Sequence, residues 1–160
     1  MSLHPDTTIG HVHLKVSDLE RALAFYQGLL GFELTTRFGD SAAFLAAGGY
    51  HHHIGLNTWE SKGGGPPPRG HSGLYHAAIL LPTRRELARL VARLLEAGYP
   101  LAGAADHGVS EAVYLSDPDG NGLELYADRP RQAWPQDEAG NLVMWTEPLD
   151  WDGLLAELAL

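Results

Sequence analysis

Apolar and polar residues alternate through I-G-H-V-H-L-K-V at residues 9–16, a pattern that predicts a strand with one buried face. Ser17 or Asp18 stands where a helix cap is needed. From there Leu19, Ala22, Leu23, Tyr26, Leu29 and Leu30 recur at helical spacing, and Gly31 predicts the end of that helix. Residues 32–38 and 42–47 read as two strands around a turn at Gly39-Asp40, and residues 51–59 as a further strand. The run Gly63-Gly64-Gly65-Pro66-Pro67-Pro68 can continue neither a strand nor a helix, so residues 60–73 are expected to form a linker or mobile flap.

The second half repeats the first. Y-H-A-A-I-L-L at residues 75–81 predicts a strand. Pro82-Thr83 opens a helix running to residue 96, with Leu87, Leu90, Val91 and Leu94 on one face and Gly98 at its end. Strands follow near residues 100–104, 112–116 and 122–127. The offsets agree between halves: Asp18 follows His11 by 7 residues, and Thr83 follows His76 by 7. A repeat of this length implies duplicated half-sheets around a shared cavity rather than a solenoid, which needs more units. The expected fold is α+β, with two βαβββ modules forming a curved sheet or half-barrel around that cavity. The chain reads as a single domain, residues 1–160: module one about 8–59, the linker 60–73, module two about 74–127, and a C-terminal arm 128–160. That arm holds Trp134, Trp145 and Trp151 and a short apolar helix at 154–158, and is expected to pack over the sheet or to form a dimer contact.

Composition narrows the partners. With 44% hydrophobic and 19% charged residues the chain has the balance of a globular protein. Its net charge of −9 disfavours nucleic acid and anionic membranes, which both attract a basic face. The absence of cysteine removes disulfides and thiolate metal sites. The opening M-S-L-H-P-D-T-T-I-G has no basic or apolar leader region, and no apolar run is long enough to span a bilayer, so the expected location is the cytoplasm.

The nine histidines change the picture most. His11 and His76 hold the same position in the two repeats, each on the first strand of its module. Glu124 sits in the apolar string L-E-L on the last strand of module two. A buried carboxylate needs a cationic or hydrogen-bonding neighbour. Two histidines and one carboxylate form a facial set of metal ligands that leaves positions open for oxygen or a chelating substrate. Such ligands suit Fe(II), Mn(II), Ni(II), Co(II) or Zn(II) without choosing among them. His13 shares a strand face with His11 and reads as a neighbour of the site or as core.

The string H-V-H-L-K-V-S-D-L-E-R-A-L-A-F-Y-Q-G-L-L-G-F resembles the opening of the vicinal-oxygen-chelate superfamily, and G-L-Y-H-A-A-I-L-L-P with Y-L-S-D-P-D-G-N-G-L-E-L-Y-A-D-R-P resembles its second module. That superfamily holds glyoxalase I, fosfomycin resistance proteins, bleomycin-binding proteins and extradiol dioxygenases. The resemblance implies metal ligands at His11, His76 and Glu124. Glyoxalase I adds a second Glu ligand on the last strand of module one, where this chain has His51-His52-His53-Ile54-Gly55-Leu56 and no carboxylate.

The chain is more similar to catechol 2,3-dioxygenases, through G-G-Y-H-H-H-I-G-L-N-T-W and D-H-G-V-S-E-A-V-Y-L-S-D-P-D-G. The resemblance implies an Fe(II) enzyme that opens the ring of a catechol-like aromatic with dioxygen. It implies an acid/base histidine at His52 or His53, the former by motif and the latter by strand alternation. It further implies roles for His107, in H-G-V-S, and for Tyr114, ten residues before Glu124. Those enzymes usually carry four modules, and this chain carries two. An isomerase or thiol transferase of the same fold, and a non-catalytic protein that sequesters an aromatic compound or drug, are the alternatives. A homodimer is expected, because sheet edges and tail tryptophans need cover.

Overall fold

The computed structural model describes residues 2–68 and 70–159. Met1 and Leu160, the ends of the expected domain, and Arg69 in the expected linker lie outside the described residues. The chain divides into two compact units, residues 1–71 with 118–120 and residues 72–117 with 121–160. Each is built as strand, helix and three strands.

In the first unit, β1 (Val12–Lys15), β2 (Glu33–Phe38), β3 (Ala42–Ala46) and β4 (Ile54–Asn57) form one sheet in the order β1-β4-β3-β2. β1 and β4 are parallel, with His13 opposite Gly55. Helix α1 (Leu19–Leu23) is capped by Asp18, whose carboxylate accepts from the Arg21 N–H at 3.0 Å. The helix then widens into a π-turn over Ala24–Leu29, in which Leu30 N–H donates to the Phe25 carbonyl. The predicted phase was that of an unbroken α-helix. One extra residue in the turn shifts that phase, so Phe25 and Tyr26 are both buried and Leu29 is only half-buried. Val16, Tyr26, Leu45 and Leu56 are fully buried and form the core of this unit.

Asp119 belongs with this unit, and its carboxylate accepts from Ser17 N–H at 2.9 Å and from the Arg21 guanidinium at 2.7 Å. The expected strand over 51–59 is shorter than predicted. β4 begins at Ile54, although the His53 backbone still donates to the Leu45 carbonyl and accepts from the Val12 N–H. His51, His52 and His53 therefore lie in the bend before the strand.

In the second unit, β5 (Ala77–Leu80), β6 (Leu101–Asp106), β7 (Ser110–Ser116) and β8 (Gly122–Asp128) pair in the order β5-β8-β7-β6. The order and directions match those of the first unit. Helix α2 (Arg84–Glu96) is N-capped by Thr83, whose hydroxyl accepts from the Glu86 N–H at 3.1 Å. Its apolar face, Leu87, Leu90, Val91 and Leu94, is buried, and the helix packs against β8.

The C-terminal arm folds back on the second unit. Helix α3 (Trp151–Ala156) packs on α2 with Leu154 fully buried. It begins three residues before the predicted 154, because Asp150 accepts from the Gly153 N–H and caps the helix there. A polar cluster ties these parts together: buried Glu111 meets Arg84 and Arg129, and Arg84 also reaches the Gly153 carbonyl and Glu157. Among the described residues no helix is long and apolar enough to cross a membrane.

Candidate active site

The β7–β8 hairpin explains why Tyr114 and Glu124 belong together. Pairing around its turn sets Tyr114 directly opposite Glu124, so the ten-residue spacing puts both side chains on one face of the sheet. On the other side of β8, Ala78 of β5 is the parallel partner of Glu124. His76 lies two residues earlier on the same face, and its Nε2 stands 2.8 Å from Glu124 Oε2. The close approach of chain here needs Gly122, since a Cβ at that position would collide with the Tyr75 carbonyl.

The contacts continue away from this pair. The Tyr114 hydroxyl is 3.3 Å from Glu124 Oε1 and 2.6 Å from His107 Nε2. His107 Nδ1 lies 2.8 Å from the Trp145 carbonyl oxygen. His76, Glu124, Tyr114, His107 and the Trp145 carbonyl thus form one linear series of polar contacts within the second unit, in which the Tyr114 hydroxyl has two acceptors in reach. Tyr114 is half-buried and faces the Glu124 charge, whose Oε1 lies within reach of its hydroxyl. Burial first, and the carboxylate second, push its pKa up to about 12. Tyr114 therefore keeps its proton at neutral pH and acts as a donor.

The first unit collects the other histidines. The His11 ring lies 4.4 Å from the His52 ring, and His52 also meets Phe44 edge-on at 5.0 Å. His51 Nδ1 is 2.8 Å from His52 Nδ1. His53 turns elsewhere, accepting from the Ala47 N–H at 3.2 Å and lying beside Tyr50. Of the two candidate acid/base histidines, His52 is the one set against His11. Desolvation, and then the neighbouring His11, His51, His13 and His53, hold His52 below the ordinary imidazole value. His13 is lowered in the same way, by desolvation and then by His11, and its Nε2 is 3.0 Å from Asn57 Nδ2.

Register makes Gly55 the counterpart of Glu124, because His13 pairs with Gly55 as Ala78 pairs with Glu124. The His13 ring occupies the space a side chain would need there, 2.9 Å from a Cβ built on Gly55. The first unit therefore offers imidazoles and no carboxylate at this position.

An imidazole nitrogen and a carboxylate oxygen converging at His76 and Glu124 are a donor set that fits a divalent first-row metal. Among the described residues no three His, Asp or Glu side chains are gathered into one metal-holding group. The sequence pattern placed Trp145 in the C-terminal arm but did not mark it as the partner of His107, whose series its main chain completes. Its one trace is the glycine after His107, a residue that marks a close approach of chain.

The fold and these residues define a family. The chain belongs to the glyoxalase/bleomycin resistance protein/dioxygenase superfamily, whose family model matches residues 8–125. It is 49% identical over 157 residues to a catechol-2,3-dioxygenase of Bacillus subtilis (strain 168), covering 98% of this chain and 54% of that protein. It is 30% identical over 122 residues to biphenyl-2,3-diol 1,2-dioxygenase 3 of Rhodococcus globerulus, covering 75% of this chain and 63% of that protein. The chain spans about half the length of the first of these relatives.

Solved structures share the fold. A glyoxalase/dioxygenase from Nostoc punctiforme superposes with a TM-score of 0.66 at 20% identity, covering 81% of this chain and 98% of that one. A lactoylglutathione lyase from Agrobacterium tumefaciens does so with a TM-score of 0.60 at 24% identity, covering 78% and 96%. At these identities the likeness speaks to the fold alone.

Proposed function

We propose that this chain is a metal-dependent extradiol dioxygenase that opens the ring of a catechol-like aromatic diol with dioxygen. The observation that carries the reading is the series His76–Glu124–Tyr114–His107, which joins a metal-type donor pair to a phenol and an imidazole able to relay a proton. The likeness to a catechol-2,3-dioxygenase over nearly the whole chain supports it. Gly55 at the position of a second carboxylate favours this chemistry over an isomerase site with two Glu ligands.

In this reading His11, His76 and Glu124 hold one divalent metal, Fe(II). The bound metal would supply chelation of the two vicinal oxygens and stabilise their negative charge. The residues do the rest. Glu124 offers Oε2 toward His76 and leaves Oε1 facing the Tyr114 hydroxyl. Tyr114, held protonated, donates a hydrogen bond to an oxygen acceptor or to His107 Nε2. When a diol hydroxyl loses its proton beside Tyr114, the phenol oxygen takes that proton and passes its own to Nε2. His52, its pKa lowered, is neutral at neutral pH and can accept a proton as a general base. A homodimer is part of the proposal, because edge strands such as β1, β2 and β5 present backbone groups that another chain can cover.

The test is metal analysis of protein purified without oxygen, followed by loading with Fe(II) and a ring-opening assay on simple catechols. Ring-opened product from the Fe(II) form is the expected result. A loaded protein that opens no catechol would favour the isomerase or the aromatic-binding reading.

A further inference from the structure

The turn that carries His107 is fastened from several sides. Asp106 Oδ1 accepts from the Gly108 N–H at 2.8 Å, and Asp106 Oδ2 accepts from Arg129 at 2.7 Å. His107 N–H donates to the Ser110 carbonyl at 2.9 Å. A segment far along the chain then pairs with the same turn. Asp106 N–H donates to the Glu147 carbonyl at 2.8 Å, Glu147 N–H returns a bond to Asp106 at 3.0 Å, and Trp145 N–H donates to the His107 carbonyl at 3.3 Å.

The Trp145 indole lies over Gly108. A Cβ built on that glycine would stand 2.7 Å from two carbons of the indole, and its φ of +77° is one that side-chain-bearing residues rarely adopt. The pairing places the Trp145 carbonyl 2.8 Å from His107 Nδ1. A carbonyl only accepts, so Nδ1 must carry the ring proton. In the neutral ring Nε2 is then a bare acceptor, and the Tyr114 hydroxyl 2.6 Å away donates to it.

We propose that Trp145 is a positioning residue: its carbonyl fixes His107 in the Nδ1–H tautomer while its indole clamps the Gly108 turn, so that Nε2 is always turned to receive the Tyr114 proton. The catalytic meaning rests on the dioxygenase reading above; the tautomer does not. The phenol has one proton and two acceptors in reach. Were His107 to carry its proton on Nε2, it would donate to Tyr114, and Tyr114 would donate to Glu124 Oε1 instead. The C-terminal arm therefore sets the direction of the whole hydrogen-bonded series without touching substrate.

The experiment is long-range proton–nitrogen correlation on the full chain with isotope-labelled histidine, His107 being assigned by comparison with His107→Gln. The wild-type protein is expected to show neutral His107 as the Nδ1–H tautomer. Trp145→Ala and Gly108→Ala, both checked for an unchanged melting profile, are expected to lose that single tautomer. In Fe(II)-loaded protein they should also lower kcat about 10–100-fold, the range for a lost orienting partner, with KM and metal content little changed. An Nε2–H tautomer in the wild type overturns the proposal, and so does an undisturbed Nδ1–H tautomer in both variants. The expected tautomers together with no ring opening by any loaded protein would uphold the role of Trp145 and overturn only the reaction.

Discussion

His76 Nε2 and Glu124 Oε2 lie 2.8 Å apart, although 48 residues separate them in the chain. The parallel β5–β8 pairing puts both on one sheet face. Two groups this close need either a shared proton or a shared cation. The prediction is that protein purified without oxygen binds close to one divalent metal per chain. His11→Ala, His76→Ala and Glu124→Ala should each lose that metal and all ring opening together. Full metal content in all three variants would sink the assignment.

His52 and His53 separate the acid/base role. His52 touches His11, and His53 is turned toward Ala47 and Tyr50. His52→Phe should keep its metal and slow the chemical step by about 10²–10⁴-fold, the usual range for general acid–base catalysis. His53→Phe should leave kcat nearly intact. Single-turnover kinetics on both variants decide between them, and the reverse pattern would reassign the base.

Glu111 is a stability residue. It is buried between Arg84 and Arg129, which each keep about a third of their side chain in water. Glu111→Ala should cost about 1.5–3 kcal/mol, as for lost hydrogen bonds to charged groups, rather than the larger figure for a fully buried ion pair. Denaturant unfolding monitored by tryptophan fluorescence reads this. A loss below about 0.5 kcal/mol, ordinary for a surface change, would contradict it.

Asp137 sets an acid limit on one part of the arm. Its carboxylate accepts from the Asn141 side chain and the Asn141 and Ala139 N–H groups, and these bonds, the Asn141 side chain first, hold its pKa below the usual value of 3.8. A folded-state pKa below the unfolded one means that the unfolded turn binds more protons. The contribution is therefore present above pH 3.8 and is lost as pH falls through the folded value. Amide exchange at Ala139 and Asn141 should accelerate in that window, and Asp137→Asn should remove the pH dependence.

The assembly is predicted to be a homodimer. The sheets end in edge strands, of which β6 is bridged at Asp106 by Glu147, and Tyr75 beside β5 is 90% exposed. Light scattering at high micromolar concentration should give twice the chain mass of 17.3 kDa. A mass of one chain across that range would count against it.

Much of the fold was legible in the sequence because it rests on local pattern. Alternation marked β1, a short apolar run marked β5, a 3.6-residue period marked α2, and equal offsets from His11 and His76 marked the repeat. The ten-residue gap between Tyr114 and Glu124 entered as part of a family resemblance, and the β7–β8 pairing gives it a physical reason, since the turn between them fixes the register. Family strings supplied the remaining site residues. What the pattern misjudged depends on bonds that periodicity does not encode. The π-turn at Ala24–Leu29 and the early start of α3 at the Asp150 cap each came from a particular hydrogen bond, and β4 starts only after His53.

The sequence by itself thus determined which elements form and that they form twice, and it nominated His11, His76 and Glu124 as a metal-type donor set. Tertiary structure alone decided that His52 rather than His53 meets His11, and that the Trp145 carbonyl reaches His107 Nδ1. Side-chain alternation and helical period are properties of neighbours along the chain, so the sequence displays them. The direction of a ring and the donor on its nitrogen depend on groups brought from 38 residues away by backbone pairing, and only the folded chain assembles those.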